Sequence, residues 1–226
     1  MVIAAGHLSG AESQKALASL CEKYWYPLYA YVRRSGHDVP SAQDLVQGFF
    51  VHLLGKQSLK EANRERGRFR YFLLASLRHY IANERRAAHA QKRGGGQAPL
   101  SLDFEEAERR YLLEYAETLT PEKAYEQNWA LALLERALNT LRDHQEQQGK
   151  GPVFDRLKDY LTSDEPRTPY DGLAAELQMS EGAVRVAVHR LRKHLGELLR
   201  GEVVQTLSDP NEVEDEIHHF LALFSE

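Results

Sequence analysis

The chain has 226 residues, 42% hydrophobic and 27% charged, with a formal net charge of -4, a balance that suits one or two domains with real cores. That charge excludes a uniformly basic nucleic-acid binder, so any such affinity must come from local patches. The single cysteine, Cys21, excludes an intrachain disulfide framework and fits a reducing cytoplasm. The opening MVIAAGHLSGAESQ lacks the basic start and apolar run of a signal peptide, and no apolar stretch of about 18 residues offers a membrane span.

Apolar residues recur at spacings of three and four, with no alternating strand pattern, so the expected fold is all-α. The first predicted helix carries Leu17, Leu20, Cys21, Tyr24, Trp25, Leu28, Tyr29 and Val32 on its apolar face and stops near Ser35-Gly36. A second is expected to start after Pro40, with Ser41 as N-cap and Asp44 at the third helical position. Its apolar face is Leu45, Phe49, Phe50, Leu53 and Leu54. A third is expected from Arg68 to Ala90, ended by the linker-like run Arg93-Gly94-Gly95-Gly96.

Residues 60–93 hold ten Lys or Arg against three Asp or Glu. Arg64, Arg66, Arg68 and Arg70 recur every second residue, which on a helix would scatter them, so they are expected to straddle a loop and a helix start. Phe69, Tyr71 and Phe72 interleave with them, and Asn83, Arg85 and Arg86 follow on the same helix. Guanidinium groups beside aromatic rings suit single-stranded nucleic acid, one holding phosphates while the other stacks on bases. The competing reading makes Phe69, Phe72, Leu73, Leu77, Tyr80 and Ile81 a core stripe, and Phe72 is assigned to the core. After the glycines the charge reverses: residues 103–126 hold eight acids and three bases, which places a boundary near 94–100.

The most specific signal runs from Tyr170 to Lys193, YDGLAAELQMSEGAVRVAVHRLRK. Leu173, Ala174 and Leu177 give a short helix with small residues where a second helix must cross. Gln178-Met179-Ser180 is the turn, Met179 points inward, and Ser180 can cap the second helix. Val184, Val188 and Leu191 form the buried face, opposite Glu181, Arg185, His189, Arg190 and Lys193. This is a helix-turn-helix, whose second helix fits a major groove, and Arg185 and Arg190 can donate to guanine edges or phosphates. An ordinary helical hairpin with a solvated basic face would share the pattern.

Residues 202–226 hold seven acids and no Lys or Arg. Asp209-Pro210-Asn211-Glu212 reads as a helix start, and Val213, Ile217, Phe220, Leu221 and Phe224 make one apolar stripe. The stripe is expected to pack on the helix-turn-helix unit or between the two units. Its acids would then compete with phosphate for the basic face of the second helix.

In order, the chain carries Trp-Tyr-Pro-Leu-Tyr-Ala-Tyr-Val, Ser-Ala-Gln-Asp-Leu-Val-Gln-Gly-Phe-Phe, Phe-Arg-Tyr-Phe-Leu-Leu with Asn-Glu-Arg-Arg after it, and the helix-turn-helix. This ordered set resembles the extracytoplasmic-function (ECF) sigma factors of the sigma-70 superfamily, over residues 10–93 (region two) and 125–200 (region four). The resemblance implies two small helical domains, 1–93 and 125–200, joined by an acidic linker, 94–124, and followed by an acidic extension, 201–226. It implies a cytoplasmic, non-enzymatic protein that binds promoter DNA and core RNA polymerase, through the beta-prime clamp helices and the beta flap, with an anti-sigma factor or a protein kinase as candidate regulators.

By the same resemblance Asp44, Gln47, Gly48 and Val51 would dock on polymerase. Arg68, Phe69, Arg70, Asn83, Arg85 and Arg86 would meet the minus-ten element. Ser180, Glu181, Arg185, Val186, His189, Arg190 and Lys193 would meet the minus-thirty-five element. The acidic linker would thread toward the RNA exit channel. Gln43 and Gly48 stand where the family often has acids, so the docking face is weakly charged, and phosphorylation of Ser41 is one way to restore charge. The alternative is a helix-turn-helix regulator that never docks on polymerase; a third reading puts the same arginines on structured RNA. No catalytic constellation, cofactor motif or metal set is expected: His218 and His219 are adjacent and so lie on different helix faces, and Gly94-Gly95-Gly96 lacks the flanking strand of a nucleotide loop.

Overall fold

The computed structural model describes residues 24–55, 68–88, 102–113, 119–162, 169–207 and 209–224. Leu17, Leu20, Cys21, Arg64, Arg66 and the glycine run 94–96 lie outside them. Every regular element among the described residues is helical. The chain divides into two compact units, one of residues 1–132 with 204–226, the other Leu133–Val203.

In the first unit, α1 (residues 24–34) buries Tyr24, Leu28, Tyr29 and Val32. It ends at Gly36, whose φ of +90° no residue with a Cβ adopts comfortably. There Gly36 N–H donates to the Arg33 carbonyl and His37 N–H to that of Val32, which satisfies two carbonyls of the last turn. Next, α2 (Val39–Gly55) buries Ala42, Val46, Phe49, Phe50 and Leu53. Its start corrects the sequence expectation. The helix begins at Val39, with Pro40 in its first turn, and Asp38 supplies the cap, its carboxylate accepting the Ser41 amide at 3.0 Å. Proline is tolerated at either of the first positions because those amides have no helical acceptor, so Pro40 alone locates the boundary only to within two residues.

Helix α3 (Phe69–Ala88) buries Phe69, Leu73, Leu74, Leu77 and Ile81. Phe72 is half-buried and stacks on Phe69, with centroids 6.0 Å apart. Tyr80 crosses to α2, its ring 6.0 Å from Phe49 and its hydroxyl lying over Gly48. The acidic stretch read as a linker contains α4 (Phe104–Leu113), which buries Ala107 and Tyr111. Glu108 holds it to α1, accepting from Arg33 Nε at 2.9 Å, Arg33 Nη2 at 2.8 Å and the Tyr29 hydroxyl at 2.6 Å. Phe104 meets Trp25 edge to face at 5.6 Å. A bidentate guanidinium–carboxylate pair plus a phenol hydrogen bond fixes where this helix docks, beside the burial of Ala107 and Tyr111.

Helix α5 (Pro121–Gln147) gives its first residues, with buried Tyr125 and Trp129, to the first unit and the remainder to the second. In the second unit Ala137 and Leu141 of α5 join Phe154 and Leu157 of α6 (Gly151–Leu157), Leu173 and Ala174 of α7 (Tyr170–Leu177), and Val184, Val188, Leu191 and Leu195 of α8 (Glu181–Val204) in one core. Met179 packs against it. The turn between α7 and α8 is made by Gln178 at φ 53°, with Met179 N–H donating to the Ala174 carbonyl at 2.9 Å.

The tail also differs from expectation. A short 3-10 turn (Pro210–Glu212), capped by the Asp209 carboxylate on the Asn211 amide, leads into α9 (Val213–Ala222). This segment belongs to the first unit, not to the helix-turn-helix. Val213 and Phe220 are buried, and Phe220 meets Trp129 edge to face at 6.4 Å. Trp129 of α5, far away in the chain where no local pattern pairs with the stripe, covers it at Phe220, while Leu221 and Phe224 of the same stripe stay exposed.

Candidate nucleic-acid interface

The second unit presents one face of α8 outward because the other is buried in the core. Val184, Val188 and Leu191 point in at spacings of four and three; Glu181, Arg185, Val186, His189, Arg190 and Lys193 are exposed. Ser180 caps the helix, its hydroxyl accepting the Ala183 amide at 3.2 Å. Arg185 is held twice: Glu181, one turn earlier, accepts from its Nε at 2.9 Å and its Nη2 at 2.6 Å, and its guanidinium carbon lies 4.4 Å from the Tyr170 ring centroid. The guanidinium is thus held at the surface between Glu181 and the Tyr170 ring. Arg192 Nε donates to the Tyr160 carbonyl at 2.9 Å, which ties α8 to the chain just beyond α6.

The first unit holds the other set. Asn83, Arg85 and Arg86 are exposed on the last turns of α3, Arg85 Nη2 lying 3.1 Å from His37 Nε2 and Arg86 donating to the Ala82 carbonyl. Phe69 is buried against Tyr24. Arg70 is buried to 1% exposure. Its guanidinium carbon lies 4.4 Å from the ring centroids of both Tyr71 and Trp129, and it is ion-paired to Glu216, itself wholly buried. Arg68 Nε reaches the other oxygen of the same carboxylate at 2.8 Å. Burial pulls the Arg70 guanidinium below the ordinary arginine range.

Asp44 is exposed on α2, with Gln47, Gly48 and Val51 partly covered beside it. Ser41 is exposed in the first turn, and its hydroxyl and amide both bond the Asp38 carboxylate, which holds that carboxyl below the ordinary aspartate value. Among the described residues no cluster of His, Cys, Asp or Glu could hold a metal ion, and no described helix is long and apolar enough to cross a membrane.

Glu108, Glu216, Trp129 and Asp38 do not figure among the sequence-based expectations. The first three act across the chain, where no local period points to them; Asp38 had a local signal, a carboxylate three residues before the Ser41 amide it caps.

Every regular element among the described residues is helical, and the second unit displays a helix-turn-helix with a cationic outer face, an architecture of the kind that DNA-binding proteins use. The family model for ECF sigma factor matches residues 30–201, most of the chain, and the protein belongs to the ECF sigma factor family, whose part is in transcription initiation. The match ends before the tail. Searches of curated proteins and of solved structures return no match.

Proposed function

We propose that this chain docks on core RNA polymerase through α2 and directs it to promoters whose two elements are met by the two units. The observation that carries the reading is the outer face of α8. Arg185, Arg190 and Lys193 stand exposed there, opposite a buried Val184-Val188-Leu191 seam, in a chain of the ECF sigma factor family. Arginine and lysine on such a face donate to guanine edges or phosphates, and the half-exposed Val186 suits a thymine methyl. Asn83, Arg85 and Arg86 would meet the minus-ten element, with Arg68 and Arg70.

Docking falls to Asp44, Gln47 and Val51, with Gly48 kept bare under Tyr80. A phosphate on Ser41 would stand beside the Asp38 carboxylate, so in this reading α2 works unmodified. Comparison of Ser41→Glu with Ser41→Ala in polymerase binding tests that point: tighter binding by Glu alone would restore a kinase switch. The test of the whole reading is promoter selection from a random DNA library by polymerase reconstituted with the protein, followed by run-off transcription. Two enriched elements and a discrete start site are expected. DNA selected equally well without polymerase, with no transcript, would favour the non-docking regulator.

A further inference from the structure

The Arg68–Glu216–Arg70 cluster is an unusual use of charge. Three ionised groups are withdrawn from water, two of them almost completely, and burying ion pairs is at best a weak source of stability. Removing the Glu216 charge alone would leave the Arg70 guanidinium buried without a carboxylate, so the two are coupled. The tail that carries Glu216 lies outside the span matched by the family model, whereas its partners Arg68 and Arg70 on α3 lie within it. The tail also supplies the Thr206 carbonyl, which accepts the Phe69 amide at 3.2 Å, and helix N-terminal amides are among the usual contacts of a backbone phosphate.

We propose that Arg68, Arg70 and the Phe69 amide form a site for one backbone phosphate of single-stranded DNA, and that the C-terminal segment occupies it, Glu216 standing in for that phosphate. This rests on the reading of α3 as the minus-ten element's partner. A carboxylate and a phosphate present the same planar pair of acceptors to a guanidinium. Tyr71, exposed beside Arg70, then offers a face on which a neighbouring base stacks. Strand and tail are mutually exclusive occupants, so the apparent affinity for the strand is reduced by the fraction of molecules in which the tail is lifted.

The test uses the full chain and fluorescein-labelled oligo(dT) as the strand. Glu216→Gln keeps the shape of the tail but removes the charge, and should tighten binding on the order of tenfold, as expected if the tail is lifted in about a tenth of wild-type molecules. Asp215→Asn removes the same charge from the exposed side of α9 and should change little. Equal tightening by both variants, or by neither, overturns the site.

Because Glu216→Gln could disturb folding, the wild-type protein is measured as well, by hydrogen exchange across residues 213–222 with and without saturating oligo(dT). Faster exchange in the tail on strand binding supports the site; unchanged protection with the strand bound overturns it. Run-off transcription separates this from the wider reading. A protein that transcribes with its tail still protected in the open complex refutes the site alone. Tail release by oligo(dT) without transcription refutes the sigma reading and keeps the site.

Discussion

Gln178 is the one non-glycine residue with positive φ among those described. Left-handed backbone costs a residue with a Cβ roughly 1–2 kcal/mol, yet the tight crossing of α7 and α8 demands it. Gln178→Val, adding a branched β-carbon there, should destabilise the second unit by about 1–2 kcal/mol. Gln178→Gly should be neutral or slightly stabilising, because relief of strain outweighs the extra freedom of the unfolded chain by no more than about 1 kcal/mol. Denaturant titration of both variants decides it; an unchanged midpoint for valine would mean the turn is not held as described. Arg185 is held more loosely. Its pair with Glu181 is exposed and of the i,i+4 kind, worth about 0.3–0.5 kcal/mol, so a base can take the guanidinium over at little cost. Arg185→Ala is expected to lose about 1–3 kcal/mol of discrimination at one promoter position, read as a flattened preference at that position in library selection.

Helices α2 and α3 meet so closely at Gly48 that a Cβ there would run into the Tyr80 hydroxyl. Gly48→Ala should therefore cost about 1–3 kcal/mol by overpacking, against about 1 kcal/mol of helix propensity gained. Tyr80→Phe should restore part of the loss, and a double-mutant cycle with no coupling would place Tyr80 elsewhere. Helices α4 and α9 are both docked through titrating groups, with different acid limits. Burial, with the nearby Arg70 and Arg68 outweighing the pull of Glu126, holds His219 below the ordinary histidine value of 6.5. Unfolded chain then binds more protons than folded, so α9 loses stability as pH falls below about 6.5. Arg33 holds Glu108 below the ordinary 4.5, so α4 keeps its lock until pH falls below that value. Hydrogen exchange against pH should show α9 loosening before α4, and His219→Gln should abolish the first step only.

These elements were unequally legible. The helix-turn-helix could be read because everything that makes it lies within two dozen consecutive residues: small residues at the crossing, a capping serine, an apolar seam at four and three. Helix α4 could not, because its place is secured by Glu108 reaching Arg33, and its acids resemble those of a solvated linker. For α9 the stripe was plain and the destination was not, since an apolar face records that it needs a cover and not which one.

For the molecule as a whole, a net charge of -4 with exposed cations on the outer face of α8 and the last turns of α3 means that DNA is met by patches and repelled elsewhere. Binding should weaken steeply with salt, and the double substitution Arg190→Ala, Lys193→Ala should flatten the log–log salt slope by about 2, one counterion per lost phosphate contact. An unchanged slope would take both residues off the phosphate backbone.

The first unit is interrupted in the chain by the second, residues 133–203 standing between its main body and its tail. Proteins are made from the N-terminus at about 5–20 residues per second. The first unit thus waits roughly 4–17 s, while residues 133–216 are synthesised, before Glu216 exists to meet Arg70. In that interval Trp129 lacks Phe220, and the nascent first unit is an incomplete core with a bare arginine pair. Its final closure is a late event in biosynthesis, and substitutions in α9 should appear first as lowered yield of folded protein from translation, before any deficit in the purified product.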